Sequence, residues 1–246
     1  MDRLIFTAMS GMTDSMNRQR VLANNMANSE TIGFRAELIH STPVTLKGPA
    51  LEARAMSDGE VRGADMSAGA VMATGRPLDI AMNGDALLAV QAADGTEAYT
   101  RRGDLSISVT GVLENGDGRP VVGASGPITV PPGAQVSIAK DGSVLVANAE
   151  DPSQPPEAID RIKLASPQGS SVSKALDGLF RVVGGGILPA DENAEVLPAS
   201  LEQSNVKPSD MIVQMIQAQR LFDIRTKLIA TARDIDQSGT SLMRIS

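Results

Sequence analysis

The chain has 246 residues, enough for one large or two smaller domains, and its 42% hydrophobic content supports a folded core rather than wholesale disorder. A net charge of −7 and a pI near 4.8 exclude the basic face that nucleic acid requires. There is no cysteine, aromatic residues make up 2% of the chain, and no apolar run reaches the length of a membrane span. The core must therefore be built from Val, Ile, Leu, Met and Ala, without the rigid aromatic anchors that line small-ligand pockets. The opening MDRLIFTAMSGM has an acid at its second position and no apolar signal core, so it does not read as a secretory signal. By composition alone the chain reads as cytosolic.

Asp2 to Asn28 predicts a long helix. Ile5, Met9, Met12, Met16, Ala23 and Met26 recur at steps of three, four or seven, with Val21 and Leu22 beside them. Asn24, Asn25 and Asn28 crowd its end, and Gly33 follows as a stop signal. The stripe is narrow, closer to a coiled-coil seam than to the face of a helix in a globular domain. Methionine here suits either ordinary core filling or a surface that meets several differently shaped neighbours.

Phe34 to Arg76 has weak periodicity and many Gly, Pro, Ser and Ala residues, with a short helical piece expected near Leu51 to Met56. So long a connection is expected to wrap along the helices or, as the favoured expectation, to be ordered by neighbouring subunits. From Leu78 to Val183 the period becomes two. Leu105 to Val109 alternates cleanly, and Val136 to Ile138 and Val144 to Val146 are shorter versions. Asp-Gly pairs at Asp94, Asp117 and Asp141, with Asn83-Gly84, fall between such runs as hairpin turns. The expected result is an antiparallel β-domain of roughly eight to ten short strands.

The last long pattern is helical. Pro208 stands at its start, Ser209 and Asp210 suit the first turn, and no Gly or Pro interrupts it until Gly239. Met211, Met215, Phe222 and Ile229 mark the stripe, with Ile212, Ala218 and Ile235 filling in, and Asp223 lies four residues before Lys227. Two matching narrow seams at opposite ends predict that the ends of the chain pack together. The fold expected is α+β, with the terminal helices as a coiled-coil-like domain and the β-domain inserted between them. Its parts are an N-terminal axial helix over 1–33, an extended connecting segment over 34–76, the β-domain over 77–200 and a C-terminal axial helix over 201–246. Helices of about 27 residues would span roughly 40 Å, more than one mate can cover.

No constellation points to catalysis. His40 is the one histidine, and without cysteine it cannot anchor a zinc site. Gly123 to Pro127 brushes against a nucleophile elbow, but Pro127 stands where the second Gly belongs. Gly184 to Gly186 lacks the Lys and Ser/Thr of a phosphate loop. Glu114, Asn115 and Asp117 lack the spacing of a calcium loop and read as a hairpin turn. The expectation is a protein that is not an enzyme, with no cofactor, no metal and no small-molecule substrate.

Three stretches resemble the flagellar rod and hook protein family. Ala23 to Ala36, ANNMANSETIGFRA, resembles its signature A-N-N-x-A-N-x-x-T-x-G-F-[KR]. Leu201 to Ile229 resembles its closing motif, L-E-x-S-N-V followed by a helix with Q-R and K-x-I. GRPLDIAMNGDALLAV and YTRRGDLSISVTGVLENGDGRPVVG resemble its shared β-domain. The motif residues are Asn24, Asn25, Asn28, Gly33, Phe34, Ser204, Asn205, Arg220 and Lys227. The chain departs from the family's R-x-Y/F-E-x-N at Asp223 and Arg225, and from its G-F-F at Ala86, Leu87 and Leu88. The opening segment is most similar to the family's proximal-rod members.

The resemblance implies a structural subunit of the bacterial flagellar basal body that serves motility. It implies polymerisation through the terminal helices with copies of itself and with other proximal and distal rod subunits, transmitting torque from rotor to hook. It also implies passage through the flagellar type III export apparatus without a cleaved signal, and a place in the periplasm-spanning rod. The alternatives are a distal-rod or hook protein of the same family, or a secreted binding module anchored by a coiled coil.

Overall fold

The structure, a computed structural model, describes residues 2–45, 55–147 and 155–243. The architecture is α+β, with one long helix at each end and many antiparallel strands between them. The chain divides into two compact units. One comprises Met1–Ala27, Glu37–Gly63 and Lys207–Ser246, and the other Asn28–Ala36 and Ala64–Val206.

The helical unit holds α1, Asp2–Ala27, and α2, Pro208–Met243, which pack on one another. Pro208 occupies the first position of α2, where its missing N–H costs no intrahelical bond, and Asp210 sits in the positive first turn. The same unit holds most of a two-stranded sheet of Glu37–Thr45 and Ala55–Ala64. The helical piece expected near Leu51 falls partly outside the described residues, and its last two positions, Ala55 and Met56, are strand.

The β-unit is organised on a five-stranded antiparallel sheet. Its order is Leu164–Ala165, Leu87–Gln91, Glu97–Thr100, Phe180–Val182, Val172–Lys174. Leu87–Gln91 is buried on both faces: Leu88 and Val90 join a core with Ile80, Leu105, Leu113 and Ile128, and Leu87 and Ala89 join Tyr99, Phe180 and Leu188. A three-stranded sheet combines Gln135–Ile138, Ser143–Ala147 and Glu157–Arg161. The hairpin turns expected at Asp94, Asp117 and Asp141 are present, whereas Asn83-Gly84 is a turn between Ile80–Met82 and Leu87–Gln91, which pair with other strands rather than with each other. At Asp141-Gly142 the carboxylate accepts the Ser143 N–H at 3.1 Å, and Gly142 takes φ +83°, which a side chain would resist. Two short pairs bring the end of the β-unit back to its beginning, Val196–Pro198 against Ile80–Met82 and Ser200–Glu202 against Val71–Ala73.

Candidate functional site

In the helical unit, α2 presents one stripe in steps of three and four. Met211, Met215, Phe222 and Ile229 are half-buried on it, Ala218 and Ala232 are buried, and Arg225 completes the repeat. Arg225 donates to the Gly11 carbonyl and the Ser15 hydroxyl of α1. The absence of a side chain at Gly11 makes room for it, since a Cβ there would already lie 3.3 Å from the guanidinium. Gln19 donates to Gln219 across the same pair of helices at 3.3 Å.

On α1, Met12 and Met26 are half-buried and Ser15, Val21, Leu22 and Asn25 are buried. Met9, Met16 and Ala23, expected on the face toward α2, are exposed, Met9 at 58% and Met16 at 57%. The side chain of Ile5 lies outside the described residues. Both stripes of α1 repeat at three and four; the one toward α2 contains Ser15 and Gln19, so hydropathy alone favours the other. A second apolar stripe also runs along α2, with Leu221, Ile224, Leu228 and Ile235 all exposed. Arg220 and Lys227 of the closing motif are exposed as well.

The asparagines of the first motif fix the segment that follows α1. Asn25 donates to the Glu37 carbonyl at 3.0 Å and accepts the Glu37 N–H at 2.8 Å, holding the start of a strand as a neighbouring strand would. Asn24 donates to the Glu37 carboxylate at 2.7 Å. Asn28 begins a turn in which its carbonyl accepts the Thr31 N–H at 3.1 Å.

In the β-unit, Gly33 has φ +66°, and a Cβ there would stand 2.3 Å from the Arg101 carbonyl oxygen. Only glycine fits both demands. Its N–H donates to the Glu202 carbonyl at 2.8 Å. Phe34 lies under the Lys174 ammonium, 3.5 Å from the ring centre. Asn205 joins three segments: its oxygen accepts the Ala36 N–H at 2.8 Å, and its amide donates to the carbonyls of Asp65 and Ser67 at 2.8 and 3.0 Å. The Ser204 hydroxyl accepts the Val206 N–H at 3.2 Å.

Beside these residues lies a charge cluster that sequence reasoning missed. Arg35, Arg101 and Glu202 are each at most 2% exposed. Arg101 donates to one Glu202 oxygen through Nε at 2.8 Å and through Nη2, and also to the carbonyls of Met82, Gly84 and Ala86. The other oxygen accepts the Gly69 N–H at 2.7 Å and lies 2.7 Å from Arg35 Nη1, an ion pair without an aligned hydrogen bond. Burial pulls the Arg101 guanidinium below its ordinary pKa, and the Glu202 carboxylate opposes that fall. Arg35 and Glu202 stand inside the two terminal motifs, but nothing local marks them as partners.

The turn at Glu114 to Asp117 uses its oxygens internally. Asn115 Oδ1 accepts the N–H groups of Asp117 and Arg119, and Asp117 pairs with Arg102 at 2.6 Å. Among the described residues no helix is long and apolar enough to cross a membrane.

Three family descriptions match this chain. "Flagella basal body rod protein" matches residues 5–35, "Flagellar hook protein FlgE/F/G D1 domain" residues 81–146, and "Flagellar basal body rod FlgEFG protein C-terminal" residues 198–242. The flagellar basal-body rod protein FlgF of Salmonella typhimurium is 38% identical over the whole of both chains. The chain belongs to the flagellar basal-body rod protein family. FlgF of Escherichia coli is also 38% identical over the whole of both chains, and FlgG of Bacillus subtilis is 31% identical over 98% of this chain and 99% of its own. Within the family the chain is a structural rod subunit, most like the proximal-rod protein FlgF.

Proposed function

We propose that the subunit polymerises through α1 and α2, with coiled-coil-like contacts to the helices of neighbouring copies and of other proximal and distal rod subunits. The observation that carries this reading is the apolar stripe each helix leaves uncovered: Leu221, Ile224, Leu228 and Ile235 on α2, Met9 and Met16 on α1. Exposed apolar side chains in a continuous row mark a surface that gains free energy by meeting another. A contact of this kind that does not close on itself builds a helical assembly. Many such contacts in parallel would carry torque through individually weak joints.

In functional terms residues 1–33 and 201–246 are the axial parts, 34–76 connects them and 77–200 is the outward β-domain. Helices that complete their burial only in the assembly are poorly stable alone, which suits passage through the flagellar export apparatus without a cleaved signal. The subunit then resides in the periplasm-spanning rod and catalyses no reaction.

The double variant Ile224→Asp, Leu228→Asp tests the reading. Both side chains face solvent, so far-ultraviolet circular dichroism of the purified subunit should be unchanged. Cells carrying it should lose motility and lack complete rods. Motile cells with normal basal bodies would refute the proposed interface.

A further inference from the structure

We propose that Glu202, Arg35 and Arg101 form a charge lock that closes the β-unit on its own two ends, so that it keeps its fold while α1 and α2 are unfolded. The three are positioning residues, and the proposal does not rest on the polymerisation reading.

The incoming segment, Asn28–Ala36, and the outgoing segment, residues 201–206, are bonded to each other within the β-unit. The Gly33 N–H donates to the Glu202 carbonyl at 2.8 Å, the Asn205 N–H to the Phe34 carbonyl at 3.3 Å, and the Ala36 N–H to the Asn205 side chain at 2.8 Å. No atom of α1 or α2 takes part in these bonds. Backbone bonds between two short segments contribute little by themselves, because water offers the same groups equal partners. Leu201 and Val206 add apolar burial to the outgoing segment, and the buried charges tie it to the incoming one. Glu202 sits on the outgoing segment and Arg35 on the incoming one, 2.7 Å apart. Arg101 fixes the same carboxylate to the sheet and also holds the carbonyls of Met82, Gly84 and Ala86.

The chemistry makes the lock specific. One carboxylate meets two guanidinium groups and one backbone N–H, so both of its oxygens are engaged. Without the carboxylate, two cations would share a dry site, and removing one partner of a buried cluster is far costlier than never building it. An apolar joint would tolerate sliding; this arrangement has one register.

Hydrogen exchange on the full chain tests the lock, read at the amides of Gly33, Ala36, Gly69 and Asn205. Ala218→Glu forces a charge into the buried stripe of α2. It should speed exchange along both helices and leave the four amides unchanged. Glu202→Gln should speed the four by about 100-fold, while Ala89 and Val121, bonded deep in the β-unit, stay slow. If Glu202→Gln unfolds the whole unit, Arg35→Met decides, because it keeps the Arg101 pair: faster exchange at the four amides alone supports the lock. The proposal is overturned if Ala218→Glu exposes the four amides together with the helices. It is equally overturned if the four stay protected in both Glu202→Gln and Arg35→Met.

Discussion

In the β-unit, Leu87, Leu88, Leu105 and Leu113 are fully buried, whereas on α2 Leu221, Ile224, Leu228 and Ile235 stand 43–57% exposed. The polar groups differ in the same direction. In the β-unit the buried Arg35 and Arg101 meet at the one carboxylate of Glu202, while the face between the helices mixes Arg225, Ser15 and the Gln19–Gln219 pair with apolar side chains. A sheet covered on both faces uses every side chain of its central strand. A helix with one mate uses a single stripe, and each half-exposed apolar residue off that stripe forgoes roughly half of the 1.5–3 kcal/mol that full burial of such a side chain contributes. The β-unit holds a continuous buried core and exposes apolar side chains such as Val109, Leu176 and Ile187 only at scattered points, whereas α2 exposes them in one row along its length.

The largest break in this comparison comes from the core. Leu88→Ala should destabilise the β-unit by about 3 kcal/mol through lost burial and the cavity left behind. The chain offers two separate reporters. Tyr99 is its one tyrosine, there is no tryptophan, and Tyr99 lies in the β-unit; far-ultraviolet circular dichroism is dominated by α1 and α2. In urea, the tyrosine transition should move to lower concentration while the helical transition stays in place. A joint shift of both signals would show that the two units unfold as one.

Alkali should act on the β-unit alone. The Tyr99 hydroxyl is buried, donates to Glu97 at 2.6 Å and accepts the Leu188 N–H at 2.6 Å. Burial first, then Glu97, raises its pKa well above the ordinary tyrosine value. In the unfolded chain the phenol ionises near pH 10, while in the folded chain it stays protonated. Above that pH the unfolded state binds fewer protons, so stability falls as pH rises, by up to about 1.4 kcal/mol per pH unit. The slope should be present in the tyrosine transition and absent from the helical one. Tyr99→Phe, followed by hydrogen exchange at Ala89, should remove it.

The stripe on α2 was legible because Met211, Met215, Phe222 and Ile229 carry it in a row, and the turns at Asp94 and Asp141 because their chemistry is local. The strand at Leu87–Gln91 shows no alternation, since both its faces are buried. Several others are two or three residues long, too short for any period to emerge. On α1 the residues toward its mate include Ser15 and Gln19, and a polar residue in a helix face looks like solvent until its partner is seen. Glu202 meets Arg35 and Arg101 across more than a hundred residues of chain, a relation that only the fold creates. Asn24, Asn25 and Asn205 were legible as a pattern, but their work was not: Asn24 holds the Glu37 carboxylate, and Asn25 and Asn205 hold the backbone at Glu37, Ala36 and Asp65.

The smallest predicted effect sharpens the contrast most. Arg225 lies on the stripe of α2 where Ala218 and Ala232 are otherwise the small residues, and it reaches the Gly11 carbonyl and Ser15 hydroxyl. The Gly11 carbonyl already serves its own helix, so the guanidinium adds a second donor rather than rescuing an orphan. The site is half-buried and water competes there, so Arg225→Ala should cost only about 1 kcal/mol. The loss should fall on the helical transition and leave the tyrosine signal unmoved. Ser15→Ala and the double variant close a cycle: if the two side chains act together, the double variant should cost less than the sum of the singles. Additive costs would mean that the Ser15 hydroxyl adds nothing to Arg225, leaving its bond to the Gly11 carbonyl and the packing of its aliphatic stem to hold that face.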